Sequence, residues 1–235
     1  MKVLWKGIYP ALTTKFKKDF TIDYEAFMTN VDFQIKSGVD GIILGGTLGE
    51  ASALIDDEKS LLTRATKEHV DGKLPVIVNI AEQTTMGAIA AAKSAEQDGA
   101  DGLMILPPMR YKATDDETIA YFKAVANSTQ LEIMIYNNPI DYKINVTLDM
   151  FDSLAACQNI VAVKESSRDI SNITRMINQF GDRFKLMCGV DTLAVESLLM
   201  GASGWVAGLV CAFPRETVAI YRLIKAGRVA EAIAI

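Results

Sequence analysis

A (β/α)₈ barrel is the fold this sequence predicts, and three observations predict it. Eight short apolar runs, most of them rich in Val and Ile, recur along the 235 residues, each followed by a longer amphipathic segment. Neighbouring runs start roughly 20 to 35 residues apart, the length of one βα unit. Their apolar character is continuous rather than alternating, which suits strands buried on both faces of a parallel sheet. An open doubly wound sheet is the rival, but eight near-equal repeats with no obvious dinucleotide fingerprint favour closure.

The expected strands are 7–12, 41–44, 75–80, 102–106, 133–136, 160–163, 184–187 and 205–210. Between them, 23–37 carries Phe27, Val31 and Ile35 at four-residue steps, and Gly38 follows as a helix stop. Segment 57–70 runs into Asp71-Gly72, and the alanine-rich 85–97 stops at Gly99. Thr114 and Glu117 have capping-box spacing before 119–126. Further helices are expected at 148–156, 169–180, 192–199 and 215–226. After Gly227 a new helical stretch, 228–235, stops in mid-pattern, the mark of a C-terminal helical extension cut short. No linker or charge block interrupts the chain, so 1–235 is read as a single barrel domain.

Half the residues are apolar and the net charge is −5, which argues against nucleic acid or an anionic membrane as partner. A small anionic substrate remains compatible, because a local pocket can be positive inside an acidic protein. No window approaches 18 continuous apolar residues, and the apolar stretch in Met1–Lys6 is too short for a signal peptide, so a cytoplasmic protein is expected. Cys157, Cys188 and Cys211 fit no CxxC pattern and read as small core residues. His69 is the only histidine, which disfavours a histidine metal site or a Ser-His-Asp triad.

Barrel enzymes place their chemistry at the C-terminal ends of the strands. After the second run comes Gly45-Gly46-Thr47-Leu48-Gly49-Glu50, where N–H groups beside the Thr47 hydroxyl could cradle a carboxylate. A turn that serves only the chain path is the alternative. After the fifth run comes Tyr136-Asn137-Asn138-Pro139, whose phenol could pass protons or could be a core aromatic. Lys164 closes the sixth run, an unusual place for lysine. Desolvation would leave its amine neutral and able to condense with a ketone, giving an iminium that acts as an electron sink. A lysine emerging to solvent at the rim is the alternative. Gly201, Gly204 and Gly208 flank the eighth run, where close strand packing explains them as well as a phosphate site does.

Taken together, Gly46-Thr47-Leu48-Gly49-Glu50, Tyr136-Asn137-Asn138-Pro139 and Val163-Lys164-Glu165-Ser166 resemble the motifs of the dihydrodipicolinate synthase / N-acetylneuraminate lyase family. The resemblance covers essentially the whole chain. It implies a class I lyase, commonly a homotetramer, that needs no metal or organic cofactor. It further implies that Lys164 forms the Schiff base, that Tyr136 shuttles protons, and that Thr47 with the Leu48 N–H holds the carboxylate. Gly46, Val206 and Gly189 would line the pocket.

The departures from the family pattern carry information. Leu48 replaces a second threonine that normally joins a tyrosine relay. The relay tyrosine that a neighbouring subunit normally supplies aligns with Arg110, with Tyr111 one place away as the expected substrate contact. Asp141 stands where synthases carry an arginine for their second substrate's carboxylate. These departures point to a lyase or hydrolyase acting on a small 2-oxo acid or cyclic imino acid. The types in view are a 2-keto-3-deoxy sugar acid dehydratase or aldolase, or a 1-pyrroline-4-hydroxy-2-carboxylate deaminase. Dihydrodipicolinate synthase and a non-catalytic barrel that binds 2-oxo acids are the alternatives.

Overall fold

The computed structural model describes residues 1–108 and 111–235. Its eight strands are β1 (Gly7–Pro10), β2 (Ile42–Leu44), β3 (Val76–Ile80), β4 (Gly102–Ile105), β5 (Glu132–Asn137), β6 (Ile160–Glu165), β7 (Lys185–Cys188) and β8 (Gly204–Ala207). All paired strands are parallel, in the order β1-β8-β7-β6-β5-β4-β3-β2. The remaining seam is joined by the parallel bridge Ala11↔Ile43 and by Leu12 N donating to Ile43 O at 3.0 Å. The sheet therefore closes into the expected (β/α)₈ barrel.

The helices alternate with the strands. They are α1 (Tyr24–Ser37), α2 (Asp56–Val70), α3 (Thr85–Gln97), α4 (Asp115–Ala126), the single turn α5 (Pro139–Tyr142), α6 (Leu148–Leu154), α7 (Ser171–Phe180), α8 (Ala194–Leu199), α9 (Pro214–Lys225) and α10 (Val229–Ile233). Their boundaries follow local chemistry. Asp23 caps α1 by accepting from Ala26 N at 3.0 Å, and Gly38 ends it at φ 83°. The capping box ahead of α4 forms, with Thr114 N donating to Glu117 Oε2 at 2.8 Å. Several expected strands are shorter than their apolar runs: of 7–12 only Gly7–Pro10 is strand, and of 102–106 only Gly102–Ile105. Of 205–210, only the part up to Ala207 is strand, and Leu209–Cys211 coils into a 3₁₀ turn. Val210 is buried in that turn beneath α9, so apolar continuity outlasts the strand.

The barrel interior explains where the site lies. Each strand sends one buried side chain into a common cluster: Tyr9, Ile43, Ile77, Met104, Met134, Ala162, Met187 and Val206. Trp5 stacks under Tyr9 at 6.3 Å and donates to Glu132 Oε2 at 2.6 Å, closing the amino-terminal end. Strand side chains alternate between faces. Two residues further along each strand, the inward positions are Ala11, Gly45, Asn79, Leu106, Tyr136, Lys164, Gly189 and Gly208. Bulk at Tyr136 and Lys164 is thus faced by alanine and three glycines, which leaves room at the carboxyl end. Among the described residues, no helix is long and apolar enough to cross a membrane.

Candidate active site

Lys164 and Tyr136 are register partners on β6 and β5. Lys164 Nζ lies 3.8 Å from the centre of the Tyr136 ring. Lys164 is only 7% exposed, so the rim-lysine alternative does not hold. Burial strips water from its ammonium and pushes the amine down to about 8, partly opposed by the negative charge of Asp191. Asp191 is itself fixed at the end of β8, accepting from Trp205 Nε1 at 3.0 Å and from Leu209 N at 2.9 Å.

Gly189, directly after β7, is where the lysine stem packs. A Cβ there would lie 2.8 Å from both Cγ and Cε of Lys164 and would collide with Ser166 Oγ. Ser166 Oγ is buried and has no hydrogen-bond partner among the described residues. Glu165 faces away from Lys164 and stitches the strand ends together. It accepts from Asn137 Nδ2 at 3.0 Å, Asn172 Nδ2 at 2.7 Å and Ser167 N at 2.6 Å.

The loop after β5 is folded by its asparagines. Asn138 caps α5 by accepting from Asp141 N at 3.3 Å, and Pro139 opens the turn without losing a needed donor. Asn137 Oδ1 accepts from Val146 N at 2.9 Å and fixes the return of the chain. One turn of helix brings Tyr142 back over Tyr136, the rings edge to face with centres 5.4 Å apart. Tyr142 OH lies 2.7 Å from Thr47 Oγ1. Asn138 Nδ2 donates to Tyr136 OH at 3.2 Å and to Asp141 Oδ2 at 2.8 Å. Burial raises the Tyr136 phenol and pushes Tyr142 up to about 12, so both carry their protons at neutral pH.

Thr47 and Leu48 begin a 3₁₀ turn, Thr47–Gly49, whose first N–H groups have no partner within the turn. The glycine requirement falls on neighbours of Gly46. Gly45 sits at φ +64°, with its carbonyl held by Asn79 Nδ2 at 2.9 Å, and a Cβ on Gly49 would press on Leu12 O at 2.8 Å. At Gly46 itself a Cβ would find only an ordinary 3.9 Å contact, so its lack of a side chain is not required by chain path or packing. A cavity of about 640 Å³ opens on Thr47, Asn79, Leu106 and Tyr142 and runs out between α2 and α3.

Of the residues singled out from sequence, the fold brings together Lys164, Tyr136, Gly189 and Val206, the last buried in the interior cluster that includes Tyr136. Thr47 joins them through Tyr142. Leu48 is half exposed beside Gly208, and Tyr111 is 77% exposed and is not part of the 640 Å³ cavity wall. Arg110 lies outside the described residues. His69 pairs with Asp32 at 2.8 Å on the outside of α2, and no cysteine is in a disulfide. Tyr142 and Asp191 went unnoticed in the sequence. A Pro-initiated turn followed three residues later by tyrosine is the one local signal for Tyr142. Nothing local marks Asp191, whose partners Trp205 and Leu209 are 14 and 18 residues away.

Fold and site define a (β/α)₈ barrel that holds a desolvated amine against a buried tyrosine at the carboxyl ends of its strands. The sequence profile of the dihydrodipicolinate synthetase family matches residues 4–235, and the chain belongs to that family. It is an enzyme, a lyase. The 4-hydroxy-tetrahydrodipicolinate synthase of Phocaeicola vulgatus is 30% identical over 231 residues, covering 98% of this chain and 78% of the relative. That of Clostridium perfringens is 34% identical over 214 residues, 91% and 73% of the two chains. Among solved structures, dihydrodipicolinate synthase from Aquifex aeolicus superposes with a TM-score of 0.94 at 30% identity, covering 97% of this chain and 78% of that one. YagE, a prophage protein of the same family from E. coli K12 in complex with pyruvate, superposes with a TM-score of 0.93 at 29% identity, covering 98% and 79%.

Proposed function

We propose that residues 1–235 form one catalytic unit, a lyase working through a Schiff base on Lys164. Its substrate is a small hydroxylated 2-oxo acid or a cyclic imino acid. The observation that carries this reading is the buried Lys164 amine, drawn down to about 8 and seated 3.8 Å over Tyr136. Lys164 Nζ attacks C2 of the ketone, the N–C bond forms, and a proton passes from nitrogen to oxygen. The carbinolamine C–O bond then breaks as Tyr136 gives its phenolic proton to the departing hydroxyl, releasing water. The iminium withdraws electrons from C3. Loss of a C3 proton yields an enamine from which a C4 leaving group departs, or the C3–C4 bond itself breaks. Water adding back at C2 frees the product and the amine. Thr47 and the Leu48 N–H take the carboxylate, with Gly46, Val206 and Gly189 as walls. No step calls on a metal or organic cofactor. Assembly into a homotetramer belongs to the same reading.

A second reading, 4-hydroxy-tetrahydrodipicolinate synthase, is favoured by the names of the curated relatives. Asp141 counts against it. Its carboxylate is bound to Asn138 next to Tyr136, where it would repel a second anionic substrate. Turnover of pyruvate with aspartate semialdehyde would establish the synthase.

Borohydride trapping tests the Schiff base. Incubation with pyruvate, the ligand held by YagE, followed by reduction and digestion, is expected to place a stable adduct on Lys164. The initial trapping rate should rise between pH 7 and 9, because the neutral amine gains population as pH passes about 8. Absence of an adduct with pyruvate and with longer 2-oxo acids would sink the reading.

A further inference from the structure

We propose that Asn138 and Asp141 are a positioning pair that makes the Tyr136 hydroxyl an acceptor on its loop side, and so turns its proton away from the loop and into the site beside Lys164. The proposal deepens the Schiff-base reading and rests on it. Three hydrogen bonds of one side-chain amide carry it. Asn138 Oδ1 accepts from Asp141 N at 3.3 Å, while Nδ2 donates to Asp141 Oδ2 at 2.8 Å and to Tyr136 OH at 3.2 Å. The two Asp141 partners fix which end of the amide is which. A backbone N–H can only donate, and an ionised carboxylate can only accept. Exchanging the amide oxygen and nitrogen would set donor against donor and acceptor against acceptor. The nitrogen therefore faces Tyr136, and it can only donate there. The phenol oxygen must accept, and the one proton that a phenol carries points elsewhere.

Local structure reinforces the assignment. Asn138 is 5% exposed and Tyr136 9%, so little water reaches the phenol from the loop side. Asp141 stands where it does because Pro139 opens a single helical turn that Asn138 caps. The residue that builds the turn is thus the one that Asp141 then holds. Burial raises the Tyr136 phenol. The Asn138 bond works against that rise by stabilising negative charge on the oxygen, while the Asp141 charge, acting through space, adds to it. When the carbinolamine collapses, the nitrogen lone pair forms the C=N bond and the C–O pair leaves with the hydroxyl. The Tyr136 O–H breaks, its proton turns that hydroxyl into water, and the phenolate is left accepting from Asn138 Nδ2. Neither Asn138 nor Asp141 touches a reacting atom; both act through Tyr136.

The test is rapid-quench borohydride trapping of the intact protein over a range of pyruvate concentrations. It reads the limiting rate of adduct formation and the concentration at half-saturation. Asn138→Ser keeps a capping oxygen for the turn and removes the amide donor. It is expected to lower the limiting rate roughly tenfold. The half-saturating concentration should change less than about twofold, and the final adduct at Lys164 should be undiminished. Asn138→Asp keeps the cap and the volume but reverses the polarity facing Tyr136, and should lower the rate roughly a hundredfold. Adding Asp141→Asn relieves the repulsion between the two carboxylates, because the new amide can donate to the new acid. The double variant should regain the urea midpoint of the parent without regaining the rate, since the phenol still gives its proton to the loop. An unchanged limiting rate in Asn138→Ser with a normal adduct overturns the positioning pair and leaves the Schiff base standing. Full return of the rate in the double variant also overturns it, because the shape of the loop and not its polarity would then be what matters. Absence of any adduct in the unaltered protein overturns the Schiff base and the positioning pair with it.

Discussion

Replacing Lys164 by methionine is expected to abolish turnover and, at the same time, to stabilise the fold. On the Schiff-base reading, the loss of activity follows from removing the amine that bonds the substrate, and should be on the order of 10⁴-fold or more. The gain in stability follows from the same burial that pushes the amine down to about 8. An amine whose value falls from 10.5 unfolded to about 8 folded costs the folded state about 3 kcal/mol while it is charged, at 1.4 kcal/mol per unit. Methionine matches the lysine stem in length and carries no charge, so it fills the same slot without that penalty. The sign with pH follows. Below about pH 8 both folded and unfolded chains hold the proton, and the penalty is felt in full. Between pH 8 and 10.5 the folded amine has released its proton while the unfolded one still binds it, so stability rises with pH. Urea unfolding of both proteins at pH 7 and pH 10 reads this directly. The methionine variant should be more stable at pH 7, and the difference should shrink at pH 10. A variant less stable than its parent, with a constant gap at both pH values, would show that Lys164 is not the strained group proposed.

Lys164 was legible in the sequence because of the same burial that draws its amine down. A charged residue closing an apolar run is a local anomaly, and the two-residue period of a strand says which way it faces. The barrel itself was legible because burial on both faces writes itself into composition, run by run. The overlong eighth strand shows the limit of that signal. Val210 is apolar because α9 covers it, whatever its backbone conformation, so composition could not separate strand from turn. Tyr142 was illegible for a different reason. Its partner Thr47 is 95 residues away, and the two meet only because two strand-end loops converge over the barrel mouth. Asp141 attracted notice as a departure from a family pattern, while the residue beside it packs on Tyr136 and bonds Thr47. The glycine loop was half legible. Its presence was evident, but which glycine is demanded by the backbone depends on φ at Gly45 and on the carbonyl of Leu12 pressed against Gly49.

Gly189→Ala should lower activity by roughly 10²-fold, less than loss of the lysine does, at a modest cost in stability. The backbone at Gly189 is not in the left-handed region, so alanine brings no conformational strain. The damage is local. The new methyl would sit 2.8 Å from Cγ and Cε of Lys164, inside any tolerated carbon–carbon contact, and would strike Ser166 Oγ. The serine hydroxyl can rotate away. The lysine stem cannot, because it is itself buried and lies between its buried register partners Tyr136 and Met187, so Nζ must shift on the order of 1 Å from its seat on Tyr136. A displacement of that size costs roughly 10²-fold in rate, and overpacking of one methyl typically costs about 1–3 kcal/mol of stability. The double variant Gly189→Ala/Ser166→Ala separates the two contacts. Removing the hydroxyl should return part of the lost stability without returning the rate, since the lysine is still displaced. Rate constants from pyruvate proton exchange, set against urea midpoints for the two variants, decide it. Full recovery of rate in the double variant would mean that Ser166, and not the lysine stem, is what the missing side chain at Gly189 accommodates.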